Sequence, residues 1–216
     1  MQEKIIAGVK ENKLIAIVRG MEPEACLELG RALLAGGIRM IEVTFNQRST
    51  DHFAATTKAI STLSEQLGGQ MLVGAGTVLS REQVDLAKAA GAGYIITPST
   101  DPEVIRYAKA QGLVAMPGAF TPSEIVEAYK AGADFVKVFP AGNMGPAYIK
   151  AVKAPLSHIP LLAVGGVNEK NVADFLKAGA VGAGVGGNLV NKDWIAAGEF
   201  DKIAALAKAY VQAVRG

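Results

Sequence analysis

Short apolar runs alternate with longer amphipathic stretches along the chain. The runs fall at residues 14–19, 39–44, 71–75, 94–97, 113–117, 135–139, 161–165 and 181–186, and are rich in Val, Ile, Leu and Ala. Brief runs of this kind, punctuated by Gly or Pro, are those of strands buried on both faces. Between them, 23–35, 81–90, 102–110, 122–131, 147–153 and 169–178 read as helices. Several open on a capping residue before a proline or an acid: Thr121-Pro122-Ser123-Glu124, Asp101-Pro102-Glu103 and Asn168-Glu169. Such side chains satisfy orphan amides of the first helical turn. The exits repeat as well, as Ala35-Gly36-Gly37, Ala90-Gly91-Ala92, Ala131-Gly132-Ala133 and Ala178-Gly179-Ala180. Glycine enters the left-handed conformation that ends a helix at little cost.

Eight strand–helix units predict an α/β fold, a closed (β/α)8 TIM barrel in a single domain spanning 1–216. The competing design is an open doubly wound sheet, but the first strand closes on Ile17-Val18-Arg19-Gly20 and no G-x-G-x-x-G fingerprint follows it. An extra N-terminal helix at 2–11 is expected to close the barrel floor, and 201–214 to complete the outer ring.

Bulk properties narrow the function. A chain of 216 residues, half of them hydrophobic, can bury one large core. The net charge of +2 and the lack of a basic block argue against nucleic acid or a membrane surface as partner. Cys26 is the sole cysteine, which leaves neither an internal disulfide nor a thiolate metal cluster. His52 and His158 flank no ligand cluster and read as surface or helix residues, so no metal is expected. The opening Met1-Gln2-Glu3-Lys4-Ile5 lacks a signal-peptide core, and no apolar run is long enough to span a bilayer. A cytoplasmic location is the expectation.

Lys137 stands alone in the apolar run Asp134-Phe135-Val136-Lys137-Val138-Phe139-Pro140. Burial disfavours its charged form and turns an inert cation into an amine nucleophile. The bland alternative is a lysine whose head escapes past the strand end or pairs with a carboxylate. Strand alternation places Phe135, Lys137 and Phe139 on one face, and Met40, Glu42 and Thr44 on one face of the second strand. The branched residues between them suit the helix layer, so Glu42 and Lys137 should both look into the barrel. There Lys137 can form a Schiff base while Glu42 shuttles protons; a plain buried salt bridge is the rival.

Other strand ends supply recognition groups. Arg19 closes the first strand and can fork onto a carboxylate, or sit in a rim salt bridge. Gly76 and Thr77 follow the third strand and bring amides and a hydroxyl to a ligand. Pro98 shapes a wall, and Phe139 either packs on a planar imine or fills core. Gly165-Gly166 after the seventh strand and Gly186-Gly187-Asn188 after the eighth sit where such barrels hold phosphate, through bare amides and a helix amino terminus.

With Glu42-Val43-Thr44, Gly74-Ala75-Gly76-Thr77-Val78, Pro117-Gly118, Lys137-Val138-Phe139-Pro140-Ala141, Gly165-Gly166-Val167 and Gly184-Val185-Gly186 in order, the chain resembles the aldolase family that cleaves 2-keto-3-deoxy-6-phosphogluconate (KDPG) and 4-hydroxy-2-oxoglutarate (KHG). That family includes the 2-keto-3-deoxy-6-phosphogalactonate (KDPGal) aldolases. The resemblance spans essentially the whole chain. It implies a class I, metal-independent lyase without a cofactor, commonly a homotrimer, releasing pyruvate and an aldehyde from a small phosphorylated keto acid. It also implies that Lys137 carries the imine, Glu42 the proton transfers, Arg19 and Thr77 the pyruvate carboxylate, and the paired glycines the phosphate.

Three departures bear on the substrate. Asn46 stands where some members place an arginine, with Arg48 two residues on. Val164 replaces the threonine of T-G-G, and Gly187 the serine of G-S-x-L-V. Asn46 and Val164 resemble the KDPGal branch, and Thr44 the KDPG branch. The expectation is cleavage of KDPG to pyruvate and glyceraldehyde 3-phosphate, with KHG as a second substrate and KDPGal as the alternative. Rival readings are a phosphate-binding barrel isomerase or synthase without imine chemistry, and a non-catalytic phosphometabolite sensor.

Overall fold

A computed structural model describes residues 1–49 and 51–215. Its strands are β1 (Leu14–Arg19), β2 (Met40–Thr44), β3 (Leu72–Gly76), β4 (Tyr94–Ile96), β5 (Val114–Met116), β6 (Gly118–Ala119), β7 (Val136–Val138), β8 (Leu161–Val164) and β9 (Ala180–Val185). All pair in parallel, in the order β5-β4-β3-β2-β1-β9-β8-β7-β6. β5 lies within the strand expected at 113–117, and β6 extends it past Pro117, which interrupts the two because it has no amide hydrogen to give a ladder. The cut leaves the ring joined: Ala115 O accepts from Asp134 N at 3.0 Å, and Pro117 O from Lys137 N at 2.8 Å. The open doubly wound alternative is thereby set aside.

Helices α1 (Gln2–Asn12), α2 (Pro23–Ala35), α3 (Ala54–Leu67), α4 (Arg81–Ala89), α5 (Pro102–Ala110), α6 (Pro122–Lys130), α7 (Gly145–Lys153), α8 (Val172–Lys177), α9 (Lys192–Ala196) and α10 (Phe200–Arg215) accompany the sheet. Thr121 and Glu124 form a full capping box at α6, and Asp101 caps α5. At the exits Gly37, Gly91, Gly132 and Gly179 all take positive φ.

Two helical features depart from the pattern. α3 lacks a clear signal in the sequence, since its segment opens without a side-chain cap and carries β-branched and hydroxyl residues that weaken helical preference. The helix expected from Glu169 begins only at Val172. Asn171 Oδ1 accepts from Asn168 N at 2.8 Å, and Asn168 Oδ1 accepts from Lys170 N at 2.9 Å and Asn171 N at 3.1 Å. Local side-chain bonding of this kind competes with the first helical turn.

Two apolar cores lie on either side of the strands. The larger joins strands to helices; the smaller fills the barrel with Ile15, Ile17, Met40, Tyr94, Ile96, Val114, Met116, Phe135, Leu162 and Val164. Ile5 and Val9 of α1 belong to this inner cluster, so α1 plugs the barrel at the amino ends of the strands. Each strand thus offers its odd or even set to the inside as the pleat requires. Lys137 and Glu42 lie on those inner sets, in register with Leu162 and with Ile17 and Gly74.

Candidate active site

Glu42 is 1% exposed and Lys137 5%, an acid and an amine inside an otherwise apolar cylinder. They are close enough to act on each other's charge, yet among the described residues no ion pair joins them. Burial pushes the Lys137 amine below its ordinary value, and Arg19 adds to the fall while Glu42 opposes it. Burial likewise pushes the Glu42 carboxyl up, against the pull of Lys137 and Arg19. Both shifts favour uncharged forms, a free amine beside a protonated acid. The Glu42 Oε2 has no hydrogen-bond partner, an arrangement a purely structural carboxyl seldom keeps.

Room for that carboxyl comes from a missing side chain. A Cβ at Gly76 would stand 2.4 Å from Glu42 Oε2 and 2.8 Å from Thr44 Cγ2. Lower in the barrel lies Tyr94, whose hydroxyl donates to Ile41 O at 2.7 Å and whose ring fills the space opened by Gly74. Gly76→Ala is therefore expected to displace the carboxyl and lower turnover about 100-fold, since small misplacements of reacting groups are that costly. Parallel kinetics and thermal unfolding check this; wild-type turnover would show that the carboxyl's position is not critical.

Above Lys137 the Phe139 ring lies with its centroid 4.7 Å from Nζ. Phe139 also lines a cavity of about 470 Å³ together with Arg19, Gly165, Gly166, Gly186, Gly187 and Asn188. Seven of the expected site residues thus meet around one opening at the carboxyl ends of the strands. Gly165 and Gly166 take φ of 87° and 75°, and Gly142 packs on them, donating from its amide to Gly165 O at 2.7 Å. Gly186 and Gly187 do not need positive φ. A Cβ at Gly186 would stand 3.0 Å from Arg19 Nη1, and nothing lies within 4 Å of one at Gly187. The Asn188 side chain donates to Glu169 Oε2 and to Tyr210 Oη, both at 2.9 Å. The helices following these two loops are short, so the amides available there belong mainly to the loops.

Thr44, Gly76, Thr77 and Pro98 sit on the neighbouring strands and loops, outside that cavity lining. Thr44 is buried, and Thr77 adopts φ of 55°, unusual for a β-branched residue. Asn46 is exposed in the turn after β2, its Oδ1 accepting from Arg48 N at 3.1 Å. His52 and His158 are exposed turn residues. A second, larger cavity, about 720 Å³ between α5, α6 and Pro155–Leu156, includes none of these groups.

Gly142, Tyr94, Gln47 and Gln83 escaped the sequence reading. Tyr94 had a usable signal, an aromatic at an inward position in register with Gly74. The two glutamines had none, because their contacts join a turn to a helix on a separate segment.

Fold and site together define a (β/α)8 barrel enzyme with a buried amine and carboxyl at its mouth. The family model for KDPG and KHG aldolases matches residues 5–206. The 2-dehydro-3-deoxy-6-phosphogalactonate aldolase of Escherichia coli strain K12 is 38% identical, covering 94% of this chain and 96% of that protein. The 2-dehydro-3-deoxy-phosphogluconate aldolase of Treponema pallidum is 32% identical, covering 97% of each. The structure of the Legionella pneumophila KDPG aldolase, holding pyruvate as a covalent carbinolamine, superposes with a TM-score of 0.85 at 28% identity, over 95% of this chain and 97% of that one. The chain belongs to the KDPG and KHG aldolase family; it is an aldolase, a lyase of carbon–carbon bonds. No helix among the described residues is long and apolar enough to cross a membrane.

Proposed function

We propose that the chain is a class I aldolase whose Schiff-base lysine is Lys137, acting on a 2-keto-3-deoxy-6-phospho sugar acid. The observation that carries this reading is the unpaired, buried Lys137 amine beside a carboxyl raised towards its protonated form. The neutral amine adds to the C2 ketone, and the acid form of Glu42 protonates the carbinolamine hydroxyl so that water leaves and an iminium forms. The Glu42 carboxylate then takes the proton of the C4 hydroxyl. The C3–C4 bond breaks, its electron pair moves to the iminium to give an enamine, and the aldehyde departs. Protonation of C3 by Glu42 and hydrolysis of the imine release pyruvate and restore the lysine.

Arg19 and Thr77 are proposed to hold the carboxylate, with Gly76, Pro98 and Thr44 shaping that end of the site. Gly165, Gly166, Gly186, Gly187 and the Asn188 backbone are proposed to cradle the phosphate, and Phe139 to face the planar imine. A homotrimeric assembly, which rests on the family resemblance, and a cytoplasmic location, which rests on the sequence reading, belong to the same proposal.

For the epimer, the phosphogalactonate acid is favoured by the higher identity of the E. coli relative and by Asn46 and Val164. Thr44 supports phosphogluconate as a second substrate. Steady-state assays of KDPGal, KDPG and KHG on one preparation test this. The expected order of kcat/KM is phosphogalactonate first; no cleavage of any of the three would remove the proposal, and a lead for KDPG would reverse the choice of epimer.

A further inference from the structure

Thr77 holds a left-handed backbone that its branched side chain disfavours, so something must keep it there. Two glutamines from different elements do so through an unbroken run of hydrogen bonds. Gln47, in the turn after β2, donates from Nε2 to Thr77 O at 2.8 Å. Gln83, on α4 and 3% exposed, donates from Nε2 to Gln47 Oε1 at 2.9 Å. Its own Oε1 accepts from Leu79 N at 2.6 Å, two residues beyond Thr77. Each amide gives from its nitrogen and accepts at its oxygen, which fixes the orientation of both. The run laces the turn that follows the Glu42 strand to the loop that follows β3, and holds the Thr77 backbone through its carbonyl.

We propose that Gln47 and Gln83 are positioning residues that hold Thr77 in the conformation in which it receives the substrate carboxylate. Neither touches the reacting atoms; Gln47 acts through Thr77, and Gln83 through Gln47. The inference rests on the reading of Thr77 as a carboxylate-binding residue, and its test separates the two.

The probe is pyruvate, with borohydride trapping of the lysine imine measured against pyruvate concentration. Gln47→Met and Gln83→Met are each expected to raise the half-saturating concentration about tenfold, roughly the worth of one lost hydrogen bond, with the maximal trapping rate nearly unchanged. In a Thr77→Gly background, where the left-handed backbone needs no support, the same changes are expected to add nothing. Gln47 is exposed, so its variant folds even where Gln83→Met is too unstable to assay. Equal losses in both backgrounds overturn the inference, because Gln47 would then act independently of Thr77. A loss in Thr77→Gly but none in Gln47→Met overturns it while sparing Thr77. An unchanged half-saturation in Thr77→Gly, or a wild-type chain that traps no pyruvate, removes the underlying reading and the inference with it.

Discussion

Lys137→Met is expected to eliminate turnover, a loss on the order of 10⁵-fold, together with all pyruvate trapping by borohydride. Methionine keeps most of the lysine stem, so the inner cluster around Phe135 and Leu162 stays packed and the change tests the nitrogen alone. The wild-type trapping rate should rise with pH, with a midpoint below the ordinary lysine value of 10.5 because burial favours the free amine. The same shift links to stability. Between the lowered folded value and 10.5 the unfolded chain binds more protons than the native one, so stability rises with pH across that window. Lys137→Met should abolish this contribution to the slope. Trapping that persists in the variant would assign the imine to another amine.

Glu42→Gln is expected to lower kcat about 10²- to 10⁴-fold while leaving part of the pyruvate trapping, since addition of the amine needs less proton transfer than cleavage. The amide is nearly isosteric and fills the space beside Gly76 without a charge. Its effect on folding has a defined sign. The buried carboxyl titrates above 4.5, so the native chain keeps a proton that the unfolded chain gives up, and stability falls as pH rises from 4.5 through the folded value. The variant should lack that fall and unfold at the same or a higher temperature above it. Unchanged turnover would withdraw Glu42 from the chemistry.

The barrel was legible because strand and helix signals repeat, and because inward and outward positions alternate on both strands that carry charge. Glu42 and Lys137 stood out as the polar members of apolar inner sets, and the paired glycines by their place after the last two strands. The strand bounds shifted by a residue or two, and a short strand beyond Pro117 extends the fifth, since ladder ends depend on neighbouring strands. Asn188 illustrates another limit. Its position in the loop was readable, but the turn of its side chain towards Glu169 and Tyr210 depends on a helix more than twenty residues away. Gln47 and Gln83 were invisible for the same reason: an amide's significance lies in its partner, and theirs lie on separate segments.

The far end of the molecule also bears on the chemistry. Ile5 and Val9 reach up from the first helix into the lower barrel, beneath the layer that holds the acid and the amine. Trimming that stopper would admit solvent from behind, restore the lysine's appetite for a proton, and blunt a reaction whose reagents enter from the opposite side. The nitrogen proposed to carry the imine would depend on a seal it never touches.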